Sequence, residues 1–242
     1  MTKLLCDLGN SRLKWALWDG KLFGCGSGAY EGDGGFADGL IALPRPDAIA
    51  AISVAGRHNL AFQAFCQARW GLVPTWHGVR REGFGVRSLY EPPETLGVDR
   101  FAALVGARAR FGACVVCVVD CGTAITVDAL DQDGVFQGGA ILPGVTTAGA
   151  ALRRAADTLP VMDLAGEAVA LGRSTVSAMK AGLLLGTAGA IDRIVQEQTK
   201  ALSVVALVVL TGGDAQKLGA YLSCPHEVVP YLTLEGLAVM AA

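Results

Sequence analysis

Charge is scarce in this chain: only 17% of its 242 residues are Asp, Glu, Lys or Arg, and the formal net charge is −2. Neither a polybasic nucleic-acid footprint nor a basic membrane-facing patch is expected from such a balance. Long apolar runs are also missing. Hydrophobic residues make up 52% of the sequence and mean hydropathy is +0.44. Yet the longest apolar stretches, such as 203–210, are Val-rich and strand-length, short of the roughly 20 residues that a spanning helix needs. The opening apolar run meets Asp7 within a few residues, too soon for a secretory signal. There are three histidines, His58, His77 and His226. They show no zinc spacing and no companion nucleophile, and read as surface or capped residues. Seven cysteines, an odd number scattered from Cys6 to Cys224, do not make a secreted disulfide framework. Cys114 and Cys117 form a C-x-x-C, but inside a run that reads as a strand, where residues three apart face opposite sides. With no second pair they read as core thiols rather than zinc ligands, and the expected compartment is the reducing cytoplasm.

What is present is a repeat. Residues 3–7 form a short apolar run ending in Asp7-Leu8-Gly9-Asn10. An alternating segment follows (Leu13, Trp15 and Leu17 against Arg12 and Lys14), then Asp19-Gly20, then Leu22-Phe23. Much later, 115–119 ends in Asp120-Cys121-Gly122-Thr123. A second alternating run follows, with Ile125, Val127 and Ala129 against Ala124, Thr126 and Asp128, then Asp133-Gly134, then Val135-Phe136. Each copy reads as strand, D-x-G turn, strand, Asp-Gly hairpin, strand. The first copy continues with a strand over 48–54 and a helix over 60–70. The second continues with helices over 146–156 and 175–198 and a strand over 204–210. A three-strand meander followed by alternating helices and strands describes a ribonuclease-H-like α/β half, and two copies predict a duplicated domain, residues 1–112 and 113–242. No Pro- or Ser-rich linker separates them. The glycine-dense segment 24–35 lacks a dinucleotide fingerprint and reads as loop and hairpin.

A pair of D-x-G turns suits a nucleotide clasp. Glycine lets the backbone approach a phosphate, flanking N–H groups donate to its oxygens, and a carboxylate on each turn can face a hydrated Mg²⁺. Asn10, Ser11, Thr123 and Thr126 add neutral donors, and Lys14 a point charge. A third glycine motif, Thr211-Gly212-Gly213-Asp214, follows a Val-rich strand. It reads either as a strand-to-helix turn or as a bare ledge for an adenine ring. Between the halves, Leu96-Gly97-Val98-Asp99-Arg100 opens a helix continuing through Phe101, Leu104 and Val105. Asp99 in its first turn is favoured by the helix dipole. On the residues alone it is equally a helix-start aspartate or a general base taking a hydroxyl proton, with Arg100 meeting an anionic substrate group. The stretch 166–174 imitates a phosphate loop, but it has one residue too many between its glycines and Arg173 where Lys is required.

In order along the chain, these motifs resemble one family, the type III pantothenate kinases. Asp7-Leu8-Gly9-Asn10-Ser11 is similar to their first phosphate motif and 120–128 to their second. Gly97-Val98-Asp99-Arg100 is similar to their substrate motif, with Tyr90 and Pro93 ahead of it at matching spacing. The segments 138–144, 172–175 and 211–213 complete the series across nearly the whole chain. The resemblance implies two actin-like domains with an ATP cleft between them, and a homodimer completing each pantothenate site. It also implies ATP with Mg²⁺ or another divalent cation, and K⁺ or NH₄⁺ held near Asp120. Asp99 then matches the proton acceptor, and Tyr90, Gly97, Val98, Asp99, Arg100 and Thr175 the pantothenate contacts. Asp7, Leu8, Gly9, Asn10, Ser11, Arg12, Leu13, Lys14, Thr123, Gly212 and Gly213 match ATP contacts, Asp7 serving the divalent cation through water. Ser11 and Val98 stand where Thr and Ala are usual, and 12–15 depart from the commoner continuation, which leaves the role of Lys14 open. The expected activity is phosphorylation of pantothenate to 4'-phosphopantothenate, the first step of coenzyme A biosynthesis. Other readings are an actin-like kinase for a sugar or short acid, a non-catalytic nucleotide-binding accessory factor in transcriptional regulation, and an actin-like filament protein. A neutral sugar offers no carboxylate to Arg100, a pure binding module does not require Asp7, Asp120 and Asp99 together, and 242 residues leave no room for polymerising insertions.

Overall fold

A computed structural model describes residues 1–30, 36, 38–156 and 158–242. Its contacts divide the chain into two units: 1–113 with 133–136 and 231–242, and 114–132 with 137–230.

In the first unit, β1 (Lys3–Leu8), β2 (Arg12–Trp18) and β3 (Leu22–Ala29) form an antiparallel meander. After α1 (Asp38–Ile41), β4 (Ala48–Ser53) lies parallel to β1; α2 (Asn59–Trp70) then leads to β5 (Thr75–Trp76). The order across the sheet is β3-β2-β1-β4-β5. β1 is buried along almost its whole length because both faces are covered. On β2, Leu13, Trp15 and Leu17 point into the core, as their alternation predicts. A short hairpin of β6 (Glu82–Gly83) and β7 (Val86–Ser88) pairs with Val135 and Phe136, and α3 (Val98–Phe111) closes this stretch.

The second unit repeats the plan. β8 (Val116–Cys121), β9 (Ala124–Leu130) and β10 (Val135–Pro143) are followed by α4 (Val145–Ala155) and the long α5 (Thr175–Leu202). Then come β11 (Leu207–Thr211), parallel to β8, α6 (Ala215–Gly219) and β12 (His226–Val228). The order β10-β9-β8-β11-β12 is that of the first unit, element for element, and each unit is a ribonuclease-H-like α/β half. Its core gathers Val119, Ile125, Val127, Leu184, Ile191 and Leu210. Asp128 stands on the polar side of the β9 alternation but is 1% exposed.

Two features differ from the sequence reading. Residues 24–29 belong to strand β3 and not to a loop, because Gly26 pairs with Trp15 across the ladder. Any side chain at Gly26 would collide with the Trp15 indole, so glycine here accommodates a large cross-strand ring. Residues 31–35, the rest of that glycine-dense segment, lie outside the described residues. The other difference concerns the last helix, α7 (Leu232–Met240), which packs on α3 and belongs with the first unit. Its apolar sequence needs a partner, and α3 offers one that is buried from Phe101 to Ala107.

The α3–α7 crossing is close because glycines meet glycines. A side chain at Gly236 would overlap Ala102 O, and one at Gly106 would overlap Leu232 O. Gly236→Ala gains about 1 kcal/mol of helix propensity, but overpacking against main chain costs about 3 kcal/mol. The expected net result is a lower urea midpoint in equilibrium unfolding. A midpoint equal to or above that of the unsubstituted chain would show that the crossing is loose.

Candidate active site

The first D-x-G turn joins β1 to β2. Asp7 is 3% exposed, and its Oδ2 lies 3.7 Å from Nζ of Lys14, its partner across the ladder. The side chains of Leu8 and Leu13, the next cross-strand pair, are in the core, so these two residues can offer a ligand only main chain. The Gly9 N–H donates to Arg12 O at 3.1 Å, closing the turn, and Asn10 and Ser11 stand exposed at its tip. Arg12 is directed along the sheet surface to Ser27, with Nη2 3.3 Å from Oγ. Outside the motif, Tyr30 Oη donates to Gly9 O at 2.8 Å and Arg57 Nη2 to Asn10 O at 2.8 Å. The His58 ring stacks on Tyr30 at 3.7 Å between centroids.

The second turn, in the other unit, is one residue tighter: Gly122 N–H donates to Ala124 O at 3.1 Å. Thr123 O accepts from Gly144 N–H at 3.0 Å and Thr147 Oγ1 at 2.7 Å. These bonds join the turn to the start of α4, where a side chain at Gly144 would overlap Gly122 O. Because β11 pairs with β8 up to Thr211 opposite Asp120, Gly212 arrives directly beside the Asp120 carboxylate. Its φ is +92° and any Cβ would crowd Asp120 Oδ1 and Cys121 O, so only glycine meets both demands. Asp120 Oδ1 itself is buried and makes no hydrogen bond among the described residues. A buried carboxylate oxygen left in that state costs free energy unless a cation or water meets it, and a cation fits this position. Next to Gly213, Asp214 and Lys217 share with Thr146, Gly149, Arg153 and Met162 the lining of a cavity of about 410 Å³.

The head of α3 lies in the first unit. Gly97 is its N-cap, and the Asp99 carboxylate folds back so that Oδ1 accepts from Arg100 N–H at 2.8 Å. A side chain at Gly97 would press on that carboxylate. Val98 turns its side chain into the core. Arg100 is only 7% exposed, with Nη1 3.3 Å from Tyr90 Oη. Its guanidinium carbon lies 5.3 Å from the Tyr90 ring centre and 5.7 Å from that of Phe136, and the two rings stack on each other. The sequence reading paired Tyr90 with Arg100 but missed Phe136, whose only signal was its place in the second Asp-Gly hairpin.

Thr175 lies in the second unit, exposed at the first position of α5. Ser174 caps that helix, with Ser177 N–H on its Oγ at 3.2 Å and Ser177 Oγ accepting Ser174 N–H at 2.9 Å. Gly172 packs so tightly on Ser177 and Ala178 that a side chain would collide with their main chain. The imitation phosphate loop is therefore a lead-in packed on a helix start. Cys114, expected in the core, is instead exposed because it precedes the start of β8, whereas Cys117 is in the core with Sγ 3.4 Å from Gln198 Oε1, and burial pushes its thiol up to about 12. Among the described residues no helix is long and apolar enough to cross a membrane.

Residues 3–197 match the family model for type III pantothenate kinase. The type III pantothenate kinase of Alkalilimnicola ehrlichii is 39% identical, over 98% of this chain and 97% of its own length. That of Halorhodospira halophila is 40% identical, over 97% and 96%. Among solved structures, a Campylobacter jejuni protein described as a Baf family transcriptional activator superposes with a TM-score of 0.59 at 21% identity, covering 98% of this chain and 96% of its own. The activator of the 2-hydroxyisocaproyl-CoA dehydratase from Clostridium difficile, with bound ADPNP, gives 0.56 at 14% identity, over 100% and 94%. At these identities the structures speak for the fold alone, α/β of the actin-like type.

Proposed function

The chain belongs to the type III pantothenate kinase family, and from that premise we propose that it transfers the terminal phosphoryl group of ATP to the primary hydroxyl of pantothenate. The product is 4'-phosphopantothenate, the first intermediate on the way to coenzyme A. The observation that carries this reading is the head of α3, where a carboxylate and a buried, aromatic-flanked guanidinium are adjacent in sequence. Arg100 suits the pantothenate carboxylate, held in place by Tyr90 and Phe136. Asp99 takes the proton of the attacking hydroxyl, which raises its nucleophilicity as the bond to phosphorus forms. Thr175 supplies a further hydroxyl for pantothenate, and Gly97 and Val98 supply main chain.

On the nucleotide side, Asn10, Ser11 and Thr123 donate to phosphate oxygens and Lys14 adds positive charge. Gly212 and Gly213 offer bare main chain to adenosine, whose base fits the adjoining cavity of about 410 Å³. Asp7 would hold a hydrated divalent cation and Asp120 a K⁺ or NH₄⁺ ion; bound there, these ions neutralise charge on the phosphates. The working form is a cytoplasmic homodimer. Large apolar side chains left exposed in the second unit, Leu171 at 85% and Val161 at 71%, provide surface for a second copy.

The direct test is coupled ADP release with pantothenate against a panel of sugars and short acids, in Mg²⁺ with K⁺ or NH₄⁺. Pantothenate alone is expected to raise the rate above background. Background rates with pantothenate under every cation condition would overturn the assignment.

A further inference from the structure

Two side chains outside every motif grip consecutive peptide groups of the first turn. Tyr30 Oη donates to Gly9 O at 2.8 Å, and Arg57 Nη2 donates to Asn10 O at 2.8 Å. A trans peptide is planar, so the carbonyl of one residue and the N–H of the next point in opposite directions. Fixing Gly9 C=O therefore sets the direction of the Asn10 N–H, and fixing Asn10 C=O sets that of the Ser11 N–H. We infer that Tyr30 and Arg57, braced by His58, are positioning residues that aim the main-chain donors of the first turn at the nucleotide phosphates.

The clamp is itself well anchored. Tyr30 stacks on His58 with ring planes 14° apart, contacts Phe36 edge-on and packs against the first unit's core. Arg57 is held at its Nε, which donates to His58 Nε2 at 3.0 Å. That bond requires a neutral imidazole at Nε2, and burial and the Arg57 charge both lower the His58 pKa. Three side chains, from the end of β3 and the segment between β4 and α2, thus act on the two residues at the turn's exposed tip. A three-residue turn with a glycine has many accessible conformations; held in one, it meets a phosphate without first being ordered.

The inference rests on the assignment of this turn to phosphate binding, and its test separates the two. Affinities of the full chain for ATP·Mg²⁺, adenosine and pantothenate are measured by calorimetry or ligand-observed NMR, with Tyr30→Phe, Arg57→Ala and Asp7→Asn alongside the unsubstituted protein. Tyr30→Phe keeps the stacked ring and Arg57 is exposed, so both variants are expected to fold with little change in melting temperature. Each should weaken ATP about three- to tenfold, the range of one lost hydrogen bond, and leave adenosine and pantothenate unchanged. Normal ATP affinity in both, with Asp7→Asn impaired, overturns the clamp but keeps the phosphate turn. Equal weakening of ATP and adenosine together with a lowered melting temperature also overturns it, since the two residues would then be merely structural. If Asp7→Asn also binds ATP normally, the phosphate-turn assignment fails and the inference with it.

Discussion

Asp99→Asn is expected to slow pantothenate phosphorylation about 10²–10⁴-fold, the usual cost of losing a general base. The amide keeps the shape of the carboxylate, and its Oδ1 can still accept from Arg100 N–H, the 2.8 Å bond that folds the side chain back on the helix start. It cannot take a proton. The lost favourable charge at the head of α3 is worth about 0.3–1 kcal/mol, small beside the stability of a packed helix, so unfolding curves should nearly coincide. ATP binding should survive, because the residues proposed for the phosphates are on the turns after β1 and β8. The decisive comparison is single-turnover rate against ATP affinity. Near-normal turnover would make Asp99 a helix-start residue and nothing more.

Wild-type activity is also expected to rise steeply when K⁺ or NH₄⁺ replaces a bulky organic cation at constant ionic strength, and Asp120→Asn should lose most of that response. The cation adds positive charge against the negative charge that gathers on the transferring phosphoryl oxygens, where removing one stabilising group costs about 10²–10³-fold. The structural ground is the Asp120 oxygen that is buried without a hydrogen bond among the described residues, beside a glycine that leaves it room. Gly212→Ala tests the same space from the other side. Its methyl would crowd Asp120 Oδ1 and Cys121 O, and φ at +92° disfavours any side chain, so it should lower activity and raise the K⁺ concentration needed. Asp7→Asn, by contrast, should weaken the dependence on divalent metal. Equal rates with and without K⁺ would remove the cation from Asp120 while leaving the kinase assignment intact.

The duplicated meander was legible in sequence because period-two alternation and D-x-G and Asp-Gly turns are local signals. Leu13, Trp15 and Leu17, like Ile125, Val127 and Ala129, announce their burial without reference to anything distant. The head of α3 was legible for the same reason: a glycine, an acidic first turn and an apolar helix lie within a few residues. What escaped depends on contacts between segments far apart in sequence. Residues 24–29 looked like loop because their glycines carry no propensity for strand, yet the Trp15 indole lying over Gly26 requires glycine there. His58 looked like an isolated surface residue because its partner, Tyr30, is 28 positions away.

The sequence by itself thus determined the two α/β halves, the order of their first strands, the family and the motifs that carry its resemblance, all properties written in short-range pattern and spacing. Tertiary structure alone decided three things. It sent the last helix to α3, because close packing there demands glycine facing main chain on both helices. It brought Gly212 against Asp120 through the parallel register of β11 on β8, and set Phe136 beside Tyr90 and Arg100 through the pairing of Val135 and Phe136 with β7. In each case the deciding quantity is a distance across space between residues that no local periodicity relates, and only the packed chain supplies it.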